Sequence, residues 1–452
     1  GARTPPQTVG DTGRRGPSPR PTAEVGETPA VRVLAIGISA QGHSWVPTDG
    51  GLRPLRKAMT WLDARAEGQA RRLLEDHSLE FWGEHAGKQP GQWHLLPQLL
   101  WLREHEPETV AAARRYLFAH DYILMRLTGE VVTDYTTAAG SLLFDLQEWG
   151  WSSELLAEYG VEEGLLPRIV PAGTVAGKLT AEAAEELGLT GDVVVAVGAQ
   201  DQKCAALAAG LDGTTATASL GTATAIIARV AEPRFEAQHG LIPCFPFLKP
   251  GEWILEAPLA TTGGALRWLR DLLGKAGAEG YAEMMVSALE VPPGAEGTVC
   301  VPYLAGAGSP HWCGTATGSF HGLTLRTGQG HLTRALLEAV AYDIAANLEH
   351  MKALGCRIDR LVLFGGGARS ELWPQIVGAV CGVPTYSSVE TEAAVRGAAM
   401  LAAEALRVEA GVFAIEAAEV RVPEGWAEAY EGLGRLTGAA YGPTQRGRAT
   451  DG

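Results

Sequence analysis

The amino-acid sequence predicts an α/β protein of two domains, and three observations point to it. The chain has 452 residues, 46% of them hydrophobic and 20% charged, which is enough for two separate cores. Its second half alternates strand-like stretches at 298–304, 359–364 and 383–388 with helix-like ones at 331–350, 371–381 and 393–406. That order lays helices on a sheet. Between the halves, Gly213 follows the turn Gly210-Leu211-Asp212 and is the expected boundary, giving domains 31–212 and 213–452.

In chain order, residues 1–30 carry six Pro, five Gly and four Arg with almost no large apolar side chain, so they read as a disordered or non-native leader. They lack the apolar core of a signal peptide, and Asp11, Glu24 and Glu27 argue against a transit peptide. Val31–Ser39 is an apolar run bounded by turns, hence a strand. Residues 92–129 read as helical, with a second helix starting near Val110 and ending before Gly129. Ala181–Leu187 is a further helix and Asp192–Val197 a buried strand. The helix 202–209 stops at Gly210, as a terminal glycine stops one. Thr214–Val230 is Thr-rich and β-branched and reads as a hairpin turning at Gly221.

Composition excludes several functions. A net charge of −15 argues against a sequence-independent nucleic-acid binder. An anionic nucleotide would then be held by local backbone amides and a metal rather than by global attraction. The six cysteines are scattered without a CxxC pair, which suits thiols in a reducing cytosol better than a disulfide framework or a zinc site. There is no HExxH, no Walker A string and no run of 18 apolar residues. The expected location is the cytoplasm.

Three stretches carry chemistry. Asp201, in Gly198-Ala199-Gln200-Asp201-Gln202, lies where a strand gives way to a helix. The positive end of the helix dipole favours its ionised form, the form a general base needs, although Asp is equally a common helix cap. Eighteen residues later, Ser219-Leu220-Gly221-Thr222-Ala223-Thr224 forms a Gly-Thr turn between strands, either an ordinary hairpin or a cradle for phosphate oxygens. Gly365-Gly366-Gly367-Ala368-Arg369-Ser370 follows a strand and precedes a helix that Ser370 is placed to cap. Its rival reading is a dinucleotide site with Glu390 on the ribose, which would make the chain a dehydrogenase using NAD, but Ser370 stands where the third glycine of that motif belongs. Gln41, His43 and Asp63 are polar groups near strand ends, suited to sugar hydroxyls.

In their order along the chain these stretches resemble the FGGY family of carbohydrate kinases, from about Val31 to about Tyr430. AIGISAQGH, TWLDARA, DYILMRLTGEVVTDYTTAAGSLLFDL, VAVGAQDQKCAALAAG, SLGTAT and LFGGGARSELWPQIVGAVCGVP each look like a segment of that family. The resemblance implies two ribonuclease-H-like domains of the actin/hexokinase type around a central cleft, and transfer of the γ-phosphoryl group of ATP, with Mg2+, to a sugar (a ketose such as xylulose) or a polyol. Carried over, Asp201 is the general base, and Gln41, His43, Asp63 and Gln202 face the sugar. Gly221, Thr222, Gly263, Gly264, Gly365, Gly366, Gly367 and Ala368 contact the nucleotide, while no residue is assigned to the metal. The partner is a small molecule, with neither nucleic acid nor membrane, and a homodimer is compatible with the family.

The chain departs from the family at its start. The opening D-x-G-T-[ST] hairpin has no counterpart, and Asp11-Thr12-Gly13 lacks flanking apolar strands. The first domain is therefore expected to be N-terminally incomplete, with an unpaired sheet edge, from a fragment or a frame-shifted start. A relative that binds nucleotide without turnover is the alternative this departure raises. Further along, Ala307, Gly308 and Thr317 replace charged residues of the family pattern, Ala379 replaces an Asp, and QDQK stands where xylulose kinases of the family carry GDNA.

Overall fold

The computed structural model describes residues 32–235, 242–431 and 433. The leader 1–30 lies outside them. Within the unit Leu34–Gly452, two sheets position the site. Among the described residues the first has three strands in the order Ala35–Ala40, Val194–Gln200, Val175–Lys178. Its first two run parallel, with Ala40 opposite Gln200, so the Gln41–His43 loop and Asp201 leave the same end of the sheet. Ala35–Ala40 is an edge strand among the described residues.

The second sheet has, among the described residues, seven strands in the order Cys244–Pro246, Trp253–Leu259, Thr224–Val230, Thr215–Ser219, Arg360–Phe364, Thr385–Ser387, Ala418–Glu419. The hairpin at Gly221 forms as expected, Thr217 pairing antiparallel with Ile227. Thr215–Ser219 also runs parallel to Arg360–Phe364, with Ser219 opposite Phe364. That register brings the two glycine turns, more than a hundred residues apart in sequence, to the same end of adjacent strands. Helices Gln329–Ala353, Leu372–Cys381 and Ala393–Ala405 alternate with these strands. The last packs on the Asp201 helix so closely that a Cβ on Gly397 would sit 1.9 Å from the Cys204 carbonyl oxygen. Glycine is required there by contact rather than by backbone angle.

The reading of 92–129 as helix needs correction. Helix Leu95–His105 stops before Pro107, which starts the separate helix Pro107–Ala112 because it offers no amide to the preceding turn. Arg115–Phe118 is then a strand, paired antiparallel with Trp45–Thr48. Its Tyr-Leu-Phe side chains are buried, and Ala119–Thr128 resumes as helix. Cross-strand packing of aromatic residues, Trp45 on Tyr116 at 5.4 Å, outweighs the local helical pattern. A satellite core of Trp45, Met59, Trp82, Leu99 and Phe118 closes over this region. All six cysteines are free thiols, and among the described residues no helix is long and apolar enough to cross a membrane.

Candidate active site

Asp201 is the first residue of the helix Asp201–Ala208, and Gln200 before it acts as the cap, its Oε1 accepting from Gln202 N at 3.2 Å. Asp201 Oδ1 accepts from Gln202 N at 2.7 Å and from Gln200 Nε2. Burial holds its carboxyl above the usual Asp range; the Gln202 amide and Lys203 oppose this, and Glu256 adds to it. Removal from water thus opposes the helix terminus, which favours the ionised form, and it has the larger effect on the proton affinity of Asp201. A base whose affinity for a proton is raised accepts one from a hydroxyl more readily.

The phosphate-type turn lies one residue away. Ser219 Oγ donates to Gln202 Oε1 at 3.1 Å and accepts from Ala225 N at 3.1 Å. Thr222 and Ala223 are exposed at the tip, and Arg267 Nη2 donates to Thr222 Oγ1 at 3.0 Å. Gly263 N donates to Gly221 O and Gly264 N to Thr222 O, both at 2.9 Å. Those amides are occupied, so Gly263 and Gly264 hold the turn in place instead of presenting donors of their own.

Leu220 fastens the two glycine turns back to back: its amide donates to Phe364 O at 2.8 Å, and its carbonyl accepts from Gly367 N at 2.9 Å. Gly365 has φ +90°, a conformation that favours glycine. A Cβ on Gly366 would meet nothing within 4 Å, so this glycine borders open space of the kind a ligand could enter. Ala368 is buried and its carbonyl accepts from Ser387 Oγ at 2.9 Å. Ser370 Oγ accepts from Trp373 N at 3.1 Å, the expected cap. Glu390, the residue the dinucleotide reading needed, is committed locally to Arg396 Nε at 2.6 Å and to the Thr391 and Glu392 amides.

Of the sugar-facing candidates, Gln202 touches the turn as described. Gln41 is exposed, and Gly42 packs against the Gln200 side chain, where an added Cβ would lie 3.0 Å from Cγ. His43 adopts φ +62° and its Nδ1 donates to Gly140 O at 3.2 Å. Burial lowers its pKa to about 4, so it is a neutral imidazole. Asp63 is not brought to these groups by any of its hydrogen bonds: its carboxylate accepts from Arg65 Nε at 2.9 Å and from Arg65 Nη2 at 2.5 Å, and Arg65 in turn stacks on Trp101 at 4.4 Å.

Sequence reasoning missed a buried cationic cluster beside Asp201. Lys203 Nζ pairs with Glu256 Oε2 at 2.5 Å and stands 4.2 Å from the Phe245 ring centroid. Lys88 Nζ stands 4.1 Å from the same centroid and donates to Ala86 O at 2.6 Å and Ala139 O at 3.0 Å. Only a lysine in the opening turn of an otherwise small-residue helix hinted at Lys203, and nothing local marks Lys88. Burial pulls the Lys88 pKa from 10.5 to about 7. Because its folded value is the lower one, the unfolded chain binds the extra proton between those limits, and Lys88 makes stability rise with pH from about 7 to 10.5. Lys88→Met is expected to flatten that rise in urea titrations run at several pH values; an unaltered slope would refute the account.

Among the described residues no group of three or more His, Cys, Asp or Glu is placed to hold a metal ion.

Residues 23–208 match the N-terminal domain of the FGGY family of carbohydrate kinases, and residues 216–406 match its C-terminal domain. The chain is 32% identical to the xylulose kinase of Streptomyces rubiginosus over 84% of this chain and 76% of that one. It is 28% identical to the gluconokinase of Bacillus subtilis over 77% of this chain and 70% of that one. Its fold superposes on the crystal structure of xylulose kinase from Rhodospirillum rubrum with a TM-score of 0.81 and 30% identity, covering 88% of this chain and 82% of that one.

Proposed function

The chain belongs to the FGGY family of carbohydrate kinases, and on that premise we propose that Asp201 is the general base of an ATP-dependent sugar kinase acting on a ketose such as xylulose. The reaction class is that of the family: a phosphoryl group passes from ATP to a carbohydrate hydroxyl. The observation that carries the residue-level reading is the Ser219–Gln202 hydrogen bond, which sets the base one residue from the phosphate-type turn.

Asp201 would take the acceptor's hydroxyl proton as the oxygen attacks. The turn at Gly221 and Thr222 would hold the transferring phosphates, steadied by Arg267, Gly263 and Gly264. Gly365, Gly366, Gly367 and Ala368 would take the nucleoside end in the open space at Gly366. Phosphoryl transfer depends mainly on positioning and charge neutralisation, and turns fixed at one end of a sheet would serve the positioning. His43, neutral and next to the Gly42 that packs on the Gln200 side chain, and Gln41 would face the sugar. Asp63 would act there only by releasing Arg65. Magnesium would arrive with the nucleotide, coordinated mainly by phosphate and water as is usual for this ion. The boundary at Gly213, between a sugar-binding and a nucleotide-binding half, and a cytoplasmic setting belong to the same reading.

The test is ADP release with Mg-ATP over a panel of ketoses, polyols and aldonates. Sugar-dependent release with one ketose preferred is the expected result. ADP binding without release for any acceptor would favour the non-catalytic relative. Gly366→Val tests the nucleotide turn separately. With open space around the added atoms, its melting temperature should match the parent while ADP affinity falls by about tenfold or more, roughly 1.4 kcal/mol. Unchanged ADP affinity would remove Gly366 from the site.

A further inference from the structure

We propose that Thr136 is a positioning residue for Asp201, acting through the Gln200 amide under the control of Asp134. The proposal rests on the reading of Asp201 as the base.

Asp134 ends the strand Val132–Asp134 and is fully buried, as is Thr136 two residues on. Asp134 Oδ2 accepts from Thr136 N at 2.7 Å and from Thr136 Oγ1 at 2.5 Å, and Oδ1 accepts from Thr137 N at 3.2 Å. A hydroxyl donating to a buried carboxylate at such a distance has its proton direction fixed. Its lone pairs then face the other way, and there Thr136 Oγ1 accepts from Gln200 N at 2.9 Å. Gln200 closes the strand Val194–Gln200 and caps the helix that Asp201 begins. The last amide of the strand is thus held by a side chain from 64 residues earlier, and the angle at which the chain leaves the sheet is set there. Gln200 itself then contacts Asp201 Oδ1 and Gln202 N through its side chain. Every link from the Asp134 carboxylate to the Asp201 carboxylate is a direct hydrogen bond or one peptide unit.

This arrangement does more than satisfy buried groups. A hydroxyl that only needed a partner has one in Asp134. The further bond to Gln200 N is directed at the residue preceding the base, where a small rotation of the peptide swings the carboxylate. Misplacement of a catalytic group by about 1 Å costs on the order of 100-fold in rate.

The experiment compares Thr136→Val, which keeps shape and removes the hydroxyl, with Thr136→Ser, which restores it. We expect kcat of the valine variant to fall about 10- to 100-fold, with the KM for ATP and ADP affinity near the parent values. The serine variant should recover to within about threefold on the same scale. Thr136→Val should add nothing to Asp201→Asn, since both act at one point. A parent-like kcat in the valine variant overturns the proposal. So does a loss that serine fails to rescue, which would mean packing was at stake. If the valine variant does not fold, Gln200→Pro against Gln200→Ala decides. Gln200 has φ −60°, which proline adopts, so the pair differs chiefly in the amide proton. Proline slower than alanine by about tenfold supports the proposal, and equality sinks it. Activity retained by Asp201→Asn would instead bring down the underlying reading of the base.

Discussion

Asp201→Asn should lower kcat by about 100- to 10,000-fold, the range for losing a positioned general base, while ADP binds as before. The asparagine keeps the acceptor oxygen that Gln202 N and Gln200 Nε2 use, so the turn should keep its shape and only the proton-accepting group is lost. Nucleotide contacts belong to other turns, and the KM for ATP should therefore hold. The pH profile of the parent enzyme tests the same assignment. The base works deprotonated, and its carboxyl is raised above the usual Asp range chiefly by burial. Activity should thus fall as pH is lowered through that raised value, on an acid limb lying higher than an exposed aspartate would give. Parent-like turnover in the variant, or an acid limb at the ordinary Asp value, would remove Asp201 from the role.

The legible part of this molecule was its local patterning. The hairpin at Gly221, the strand before Gly365 and the helix ended by Gly210 were each set by a few neighbouring residues, and glycine or β-branched content announces such features. Arg115–Phe118 was hidden because its partner strand is Trp45–Thr48, and pairing at that distance leaves no mark in a window of residues. The raised proton affinity of Asp201 was hidden for a related reason. The helix that follows it is visible in sequence, whereas the burial that raises its carboxyl comes from elements remote in the chain. The pairing of the Asp63 carboxylate with Arg65, two residues on, is a local contact that its place near a strand end did not reveal. The convergence of Lys88 and Lys203 on Phe245 joins three segments, so no single stretch could have predicted it.

That convergence makes the second large prediction. Lys203 and Glu256 are both buried, with side chains 3% and 12% exposed, and the pair joins the Asp201 helix to the strand Trp253–Leu259. Forming such a pair recovers little net energy because both ions leave water, whereas removing one partner strands the other. Glu256→Ala should therefore destabilise the protein by about 3–5 kcal/mol, read as a lower urea midpoint. The cost should be sharpened by Lys88, whose ammonium faces the same ring and has carbonyls rather than a carboxylate for partners. Replacing both charges, as Lys203→Met with Glu256→Leu, should recover most of the loss, since an apolar pair of similar volume leaves no ion behind. A double-mutant cycle separates the terms. The milder Glu256→Gln has a second readout, because Glu256 raises the Asp201 carboxyl and Lys203 lowers it. With the carboxylate gone, the acid limb of the rate profile should move to lower pH. If Glu256→Ala cost no more than a surface substitution, about 0.5 kcal/mol, the pair would not be the buried tie between helix and strand that its geometry describes.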